Sequence, residues 1–496
     1  MKKNKITVCM IGNAHIDPVW LWTWREGMAE VMASCRSALD RMKEFDAFIF
    51  TRAEAATYQW IEDSCPEMFE EIKQRIKEGK WNVVGGWWEQ PDCNVPCGES
   101  FVRHALYGKK YFKEKFGIDV KVGYNVDSFG HNIGLPQILK KSGIDYYTFM
   151  RPEPHEKELP SSMFWWEGLD GSKVLVYRLH GPYCTNHQVL PEHLEKSVEK
   201  RHKESLVAAC FYGVGNHGGG PTIENIKCII EMQKEENDSE IVFGTLEQVF
   251  QTAEKNCNNF PIVKDDLQHH AVGCYSLHSE VKRLNRKSEN ALIRAEKFAS
   301  LASLLINRKY PLEQLSSAWK HILFNQFHDI LAGTSLPSAY DDARNTYGVA
   351  IHSADYITEA SLTNIACHIN AENGTDPFIV FNPHSQAVKA PIYYEEKLTS
   401  LRDYKGNIIP TQKVSEQFER TATDHEADRD RFVFVDTIPA FGYKLYYAEN
   451  GVNEINYNLS ITDTTIENEY LRISISKETG AITELYDKKQ NHHFLS

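Results

Sequence analysis

Three short stretches hold side chains whose types and spacing suit chemistry at a bound cation. In NAHIDPVWLW, His15 and Asp17 stand two residues apart just past an apolar run. Residues i and i+2 of extended backbone face one side, so an imidazole and a carboxylate can reach the same ion. In YNVDSFGHN, Asp127 closes a second apolar run before a glycine-containing turn. A carboxylate there, beside a low-dielectric sheet, can serve as ligand or nucleophile. In FNQFHDILAGTS, His328 and Asp329 fall near the end of an expected long helix, with Gly333 as its stop. Each stretch also has a plain structural reading. HxD is a common tripeptide, and Trp20 and Trp22 can be core or platforms for sugar rings. Asp127 can cap the next helix, a task open equally to Ser128 or Asn132. A lone histidine at a helix C-terminus is a favourable charge partner. Taken together, His15, Asp17, Asp127 and His328 make a set of two imidazoles and two carboxylates that suits Zn²⁺.

Elements of alternating type must bring these residues together. Up to about residue 265, strand-length apolar runs occur at Ile6–Ile11, Trp81–Val84, Val120–Val126, Tyr146–Met150, Val174–Tyr177, Val207–Tyr212 and Ile241–Phe243. Between them lie amphipathic stretches such as Glu67–Glu78 (after Pro66), Ser100–Lys115 and Leu135–Ser142. The alternation predicts a parallel α/β architecture, either a barrel or a related closed sheet, with the site at the carboxyl ends of its strands. From Ser279 to Cys367, helical spacing takes over (Leu292, Ala295, Phe298, then Leu315, Trp319, Leu323, Phe327) and predicts a bundle of two or three long helices. After Asp376-Pro377, alternating segments broken by turn residues predict antiparallel β structure, with a hairpin at Thr479-Gly480. The expected divisions are 1–275, 276–370 and 371–496, the last too short for a complete β-sandwich, so a sequence that stops partway through its β region is expected.

Composition sets outer bounds. The chain has 496 residues, 42% hydrophobic and 25% charged, enough for two or three cores. A formal net charge of -13 argues against general affinity for nucleic acid or anionic membranes. The run Ile6–Ile11 reads as a buried strand and not a signal peptide, and no stretch is long enough to span a bilayer. The eleven cysteines are scattered, with Cys93 and Cys97 the nearest pair, as expected of reduced thiols in a cytoplasmic protein. Sequons at Asn237, Asn373 and Asn458 are read as chance matches.

The order HIDPVWLW, DSFGHN, HDxLxGTS resembles glycoside hydrolase family 38, the α-mannosidases. So do VGGWWEQPDCNVPCGESFVRHALYGKKYF, GLPQILKKSGIDYYTFMRP and HHAVGCYSLHSEVKRLNR, and the likeness runs from about Lys5 to Thr334. The resemblance implies a seven-stranded (β/α) barrel, a helical bundle and C-terminal β domains. It implies zinc at His15, Asp17, Asp127 and His328, with Asp127 also the catalytic nucleophile. Trp20 and Phe129 match aromatic residues lining the sugar subsite, and Arg151 matches an arginine near the nucleophile. The general acid/base matches Asp266, with Asp265 the alternative. The chain departs from many members in having Phe327 before His328, and no acidic residue in GVGNHGGGPT. The implied partner is a mannose-containing oligosaccharide or glycoconjugate met in the cytoplasm, acted on by a monomer or homo-oligomer. Two rivals fit less well. A metal-dependent polysaccharide deacetylase uses a similar barrel but has no role for His328 on a helical bundle. A sugar-binding module without catalysis has no need of Asp127 and a second carboxylate.

Overall fold

The apolar run behind the first motif forms a strand, β1 (Ile6–Asn13), buried from Val8 onward on both faces, as a central parallel strand must be. Nine more follow: β2 (Phe50–Arg52), β3 (Trp81–Val83), β4 (Val122–Asn125), β5 (Tyr146–Phe149), β6 (Met163–Glu167), β7 (Lys173–Arg178), β8 (Val207–Tyr212), β9 (Ser239–Phe243) and β10 (Ile262–Val263). All seven expected strands are present to within a few residues. β2, β6 and β10 are additions. In this computed structural model the described residues are 5–215, 219–235, 239–268, 270–371, 376–395, 400–414, 431–449 and 458–495. Asn237, Asn373 and part of the glycine-rich loop (216–218) lie outside them.

The strands fall into two five-stranded sheets. In the first, β3, β2, β1 and β8 run in parallel, and β9 pairs with the front half of β1. In the second the order is β10-β6-β7-β5-β4, where β6 runs antiparallel to β7. A bond from Gly85 N–H to Val122 O (2.8 Å) links the β3 edge of one to the β4 edge of the other. The architecture is thus mixed α/β, and hydrogen bonding draws two sheets where the resemblance implies one closed barrel.

Helices cover these sheets for local reasons. Pro66 opens the helix Pro66–Lys77 at a position where a missing N–H costs nothing. Gly117, at φ 74°, closes Gly98–Phe116 in the left-handed region. The helix Trp24–Glu44 crosses so close to the first motif that a Cβ on Gly27 would lie 2.1 Å from Pro18 O. Three long helices follow: Ser279–Ile306, Leu312–Asn325 and Pro337–Ala366. Between the last two, the short helix His328–Ala332 stands apart. His328 therefore opens a new helix and does not end a long one, because Phe327 (φ -47°, ψ 138°) leaves helical geometry. This removes the helix C-terminal charge-partner reading.

The chain forms two compact units, Met1–Leu362 and Thr363–Ser496. The second contains antiparallel sheets of four, three and five strands, including the hairpin Leu471–Ile475/Ile482–Asp487 turned at Gly480 (φ 70°). Its core is small: Leu401, Phe434, Ile438, Tyr446 and Ala448.

Candidate active site

Four side chains converge past the carboxyl ends of β1 and β4. His15, Asp17, Asp127 and His328 each offer a nitrogen or oxygen within 4.8 Å of all the others. All are buried, His328 completely. His15 Nε2 lies 2.9 Å from Asp17 Oδ1 and 3.9 Å from Asp127 Oδ2, and His328 Nε2 lies 3.8 Å from Asp17 Oδ1. The two imidazoles stack at 5.5 Å. Asp127 is no helix cap: its oxygens accept from Arg151 and Tyr183, and the next helix starts at Leu135 behind Gly134.

The donor set fits a divalent cation. His15 Nε2, His328 Nε2 and Asp17 Oδ1 are buried polar atoms without a hydrogen-bond partner, an arrangement a protein interior rarely tolerates. His328 Nδ1 lies 3.2 Å from the Gln90 carbonyl oxygen, which fixes its proton on that nitrogen and leaves the Nε2 lone pair facing the cluster. Burial pushes both imidazoles down. Burial, with Asp127 and Glu54 nearby, pushes Asp17 well up. Burial also works against the charge of Asp127, but His15, Arg151 and His328 outweigh it and hold that carboxyl below its usual range.

Asp127 is gripped from two sides. Arg151 Nε donates to Oδ1 (2.6 Å) and Tyr183 OH to Oδ2 (3.2 Å). Arg151 follows β5, is turned back by the cis bond to Pro152, and reaches His270 Nε2 with Nη1 (2.7 Å). His270 in turn meets Glu156 at 2.5 Å. Phe129 fills the space among these groups, its ring 5.6 Å from His270 and 5.7 Å from His328, with the Arg151 guanidinium over it at 5.9 Å. Trp20 is half-buried and stands edge-on to Trp22 at 5.7 Å, while its carbonyl accepts from Leu336 N–H (2.8 Å).

The two remaining sequence candidates are engaged elsewhere. Asp266 Oδ1 accepts from Ile133 N–H (2.6 Å), and the exposed Asp265 pairs with Lys157 (2.6 Å). Their segment is nonetheless a neighbour of the Asp127 loop, since Leu267 forms an isolated bridge to His131.

Sequence reasoning passed over several residues. Tyr183 lies five positions beyond β7 with no motif to mark it. His270 sat unremarked inside HHAVGCYS. Asp329, 5% exposed, has its carboxyl pushed up to about 7 by burial and by Asp17 and Asp127, against the pull of His328. Gln90 holds His15 from behind, its amide 3.0 Å from Nδ1 and bonded to the buried Glu54.

Residues 5–271 match the model of the glycosyl hydrolases family 38 N-terminal domain, and 269–365 that of the alpha mannosidase middle domain. Alpha-mannosidase G of Dictyostelium discoideum is 29% identical over 373 residues, 73% of this chain and 34% of that protein. Alpha-mannosidase 2C1 of Homo sapiens is 30% identical over 350 residues, 70% of this chain and 34% of that protein. Among solved structures, an alpha-mannosidase from Enterococcus faecalis V583 superposes with a TM-score of 0.82 at 18% identity, covering 99% of this chain and 61% of that one. The chain thus spans about a third of the length of the curated relatives it matches.

Proposed function

Because the chain belongs to glycosyl hydrolase family 38, we propose that it hydrolyses terminal α-mannosidic linkages with retention of configuration. The substrate is a mannose-containing oligosaccharide or a mannosyl conjugate, met in the cytoplasm. The observation that carries this reading is the Asp127 carboxylate, placed within 4.8 Å of three further ligand groups and held by Arg151 and Tyr183.

A retaining glycosidase needs one carboxylate to attack the anomeric carbon and another, about 5–5.5 Å away, to protonate the leaving oxygen. Asp127 takes the first role: it is held ionised, and the Arg151 and Tyr183 bonds fix the direction of both oxygens. Attack forms the mannosyl ester and breaks the glycosidic bond, whose oxygen takes a proton from Asp266 or, in its place, Asp265. The same carboxylate then removes a proton from water as the ester is cleaved. Asp266 must release the Ile133 amide, and Asp265 must release Lys157, to do so. Trp20 and Phe129 supply faces for the sugar ring, and the Phe129 ring also screens Asp127 from water.

His15, Asp17, Asp127 and His328 would hold Zn²⁺. Bound there, the ion supplies an attachment point for the vicinal 2- and 3-hydroxyls, which are cis in mannose. The proposal extends to closure of the two sheets as a (β/α)₇ barrel, to the divisions 1–275, 276–370 and 371–496, and to a homo-oligomer as the assembly to look for.

Release of aryl alcohol from an aryl α-mannoside, assayed with and without a zinc chelator, tests the reading. Chelator-sensitive turnover with the α-mannoside, and none with the β-anomer, is expected. Turnover that survives complete metal removal would overturn the metal role, and a preference for acetylated sugars with release of acetate would overturn the glycosidase.

A further inference from the structure

Arginines inside the first unit, the buried Arg52 and the partly buried Arg103 and Arg151, stand against carboxylates. Arg52 lies 3.6 Å from Glu54, Arg103 forks onto Glu296 at 2.6 and 2.7 Å, and Arg151 holds Asp127. Arg178, the last residue of β7, does not follow them. Only 6% of it is exposed, its Nη1 donates to the Lys157 carbonyl oxygen (2.6 Å), and among the described residues it has no carboxylate partner. Burial without a counter-charge pushes its guanidinium down to about 10. An unpaired cation out of water is a costly thing to keep, and a guanidinium fork is matched to a planar or tetrahedral oxyanion.

The surroundings have room for such an anion. Arg178 lines a cavity of about 480 Å³ with Ser162, His180, Lys196 and Lys200. Ser162 Oγ and His180 Nε2 are buried and have no hydrogen-bond partner among the described residues. Lys196 and Lys200 stand exposed, shared with Glu192 (2.6 Å) and Glu199 (3.0 Å), so the uncompensated charge belongs to Arg178. Glu199 also lines the cavity, which favours an anion strong enough to draw Lys200 away from it. Pro154, Leu159 and Leu179 give the cavity an apolar wall. Pro154 and Leu179 lie on the loops that carry Arg151 and Tyr183.

We propose that this cavity is a second ligand site, which takes a phosphate group, free or as a monoester, through Arg178, Ser162 and the two lysines. The fork, a hydroxyl and ammonium groups match the several acceptor oxygens of a dianion, and the apolar wall suits the carbon to which an esterified phosphate is attached. The site lies apart from the four converging groups, so binding can be read without any turnover.

Titration calorimetry with inorganic phosphate and with glycerol 2-phosphate, at constant ionic strength in chloride, tests this on wild type, R178M, S162A and K200Q. Both ligands should bind wild type, and R178M should weaken them by about tenfold or more. In phosphate-free buffer R178M should melt no lower than wild type, because an unpaired buried charge has gone, whereas a purely structural arginine would cost stability on removal. If R178M does not fold, S162A and K200Q carry the test, each expected to loosen phosphate. Tighter binding of the monoester identifies an esterified ligand, and equal binding identifies the free ion. Absence of binding to wild type, or unchanged affinity in R178M, or in both S162A and K200Q, would overturn the site.

Discussion

The two units of this chain treat charge in opposite ways. In Met1–Leu362, His15, Asp17, Arg52, Glu54, Glu89, Asp127, Glu289 and His328 are all buried, several completely. In Thr363–Ser496 the buried polar side chains among the described residues are Asn382 and Ser400, and ion pairs such as Arg472–Glu484 (2.8 Å) stay in contact with water. Not one described residue from 458 to 495 is buried. Burying an ionisable group is expensive unless it is paired or put to use, so the unit that accepts this cost is where chemistry is to be sought.

That contrast can be broken experimentally. Its sharpest test is Asp127→Asn, which keeps size and shape while removing the carboxylate proposed as nucleophile. The variant should fold with an unchanged circular-dichroism spectrum and lose on the order of 10³-fold or more in kcat/KM for an aryl α-mannoside. Near-normal kcat/KM would remove Asp127 from the mechanism. Next comes Gln326→Leu. Gln326 receives from His104 Nε2 at 3.1 Å and donates to Asn285 (2.8 Å) and Glu289 (3.1 Å), all buried. Leucine strands these groups, and urea unfolding should register a loss of about 2–4 kcal/mol. A further effect is spread over pH. Burial takes His104 and His131 down to about 3. The unfolded chain then binds their protons first, so the stability they contribute is complete above about pH 6.5 and is lost as pH falls from there toward 3. Each histidine adds a slope of up to about 1.4 kcal/mol per pH unit in that window. A urea midpoint that stays flat between pH 7 and 5 would contradict it. Last, Glu484→Gln, in the solvated pair, should leave the melting midpoint of its unit where it was. A clear drop would show that the second unit also relies on its charges.

Much of the first unit was legible because local pattern and tertiary role agree there. A continuous apolar run such as Val207–Tyr212 is a strand in the sequence and in the structure, and His15 and Asp17, two residues apart, do meet in one cluster. The failures have physical causes. β2 is only Phe50, Thr51 and Arg52, with a single apolar residue and so no apolar run to mark it. Leu323 and Phe327 keep helical spacing across a break that comes from long-range bonds, including Asp92 N–H to Gln326 O (2.9 Å) and the Pro91–Phe327 bridge. Tyr183, Gln90 and Arg178 gain their meaning from partners 36 or more residues away, or from the want of one, and no window of sequence carries that. The acid/base candidates stayed open at Asp265 and Asp266 because adjacent carboxylates look alike until their neighbours are known.

The convergence of His15 and His328 has a consequence for assembly. The four groups come from a strand end near the start of the chain, a loop at Asp127, and a short helix that exists only where Gln326 and Phe327 are caught by the segment Gln90–Asp92. During synthesis, the first three groups leave the ribosome some two hundred residues before the fourth, or about 10–40 s at ordinary elongation rates. Until the bundle docks, that pocket is three-sided and open to water. An ion held by these four groups would therefore load late, and its loading would report the joining of bundle to sheets and not the folding of either.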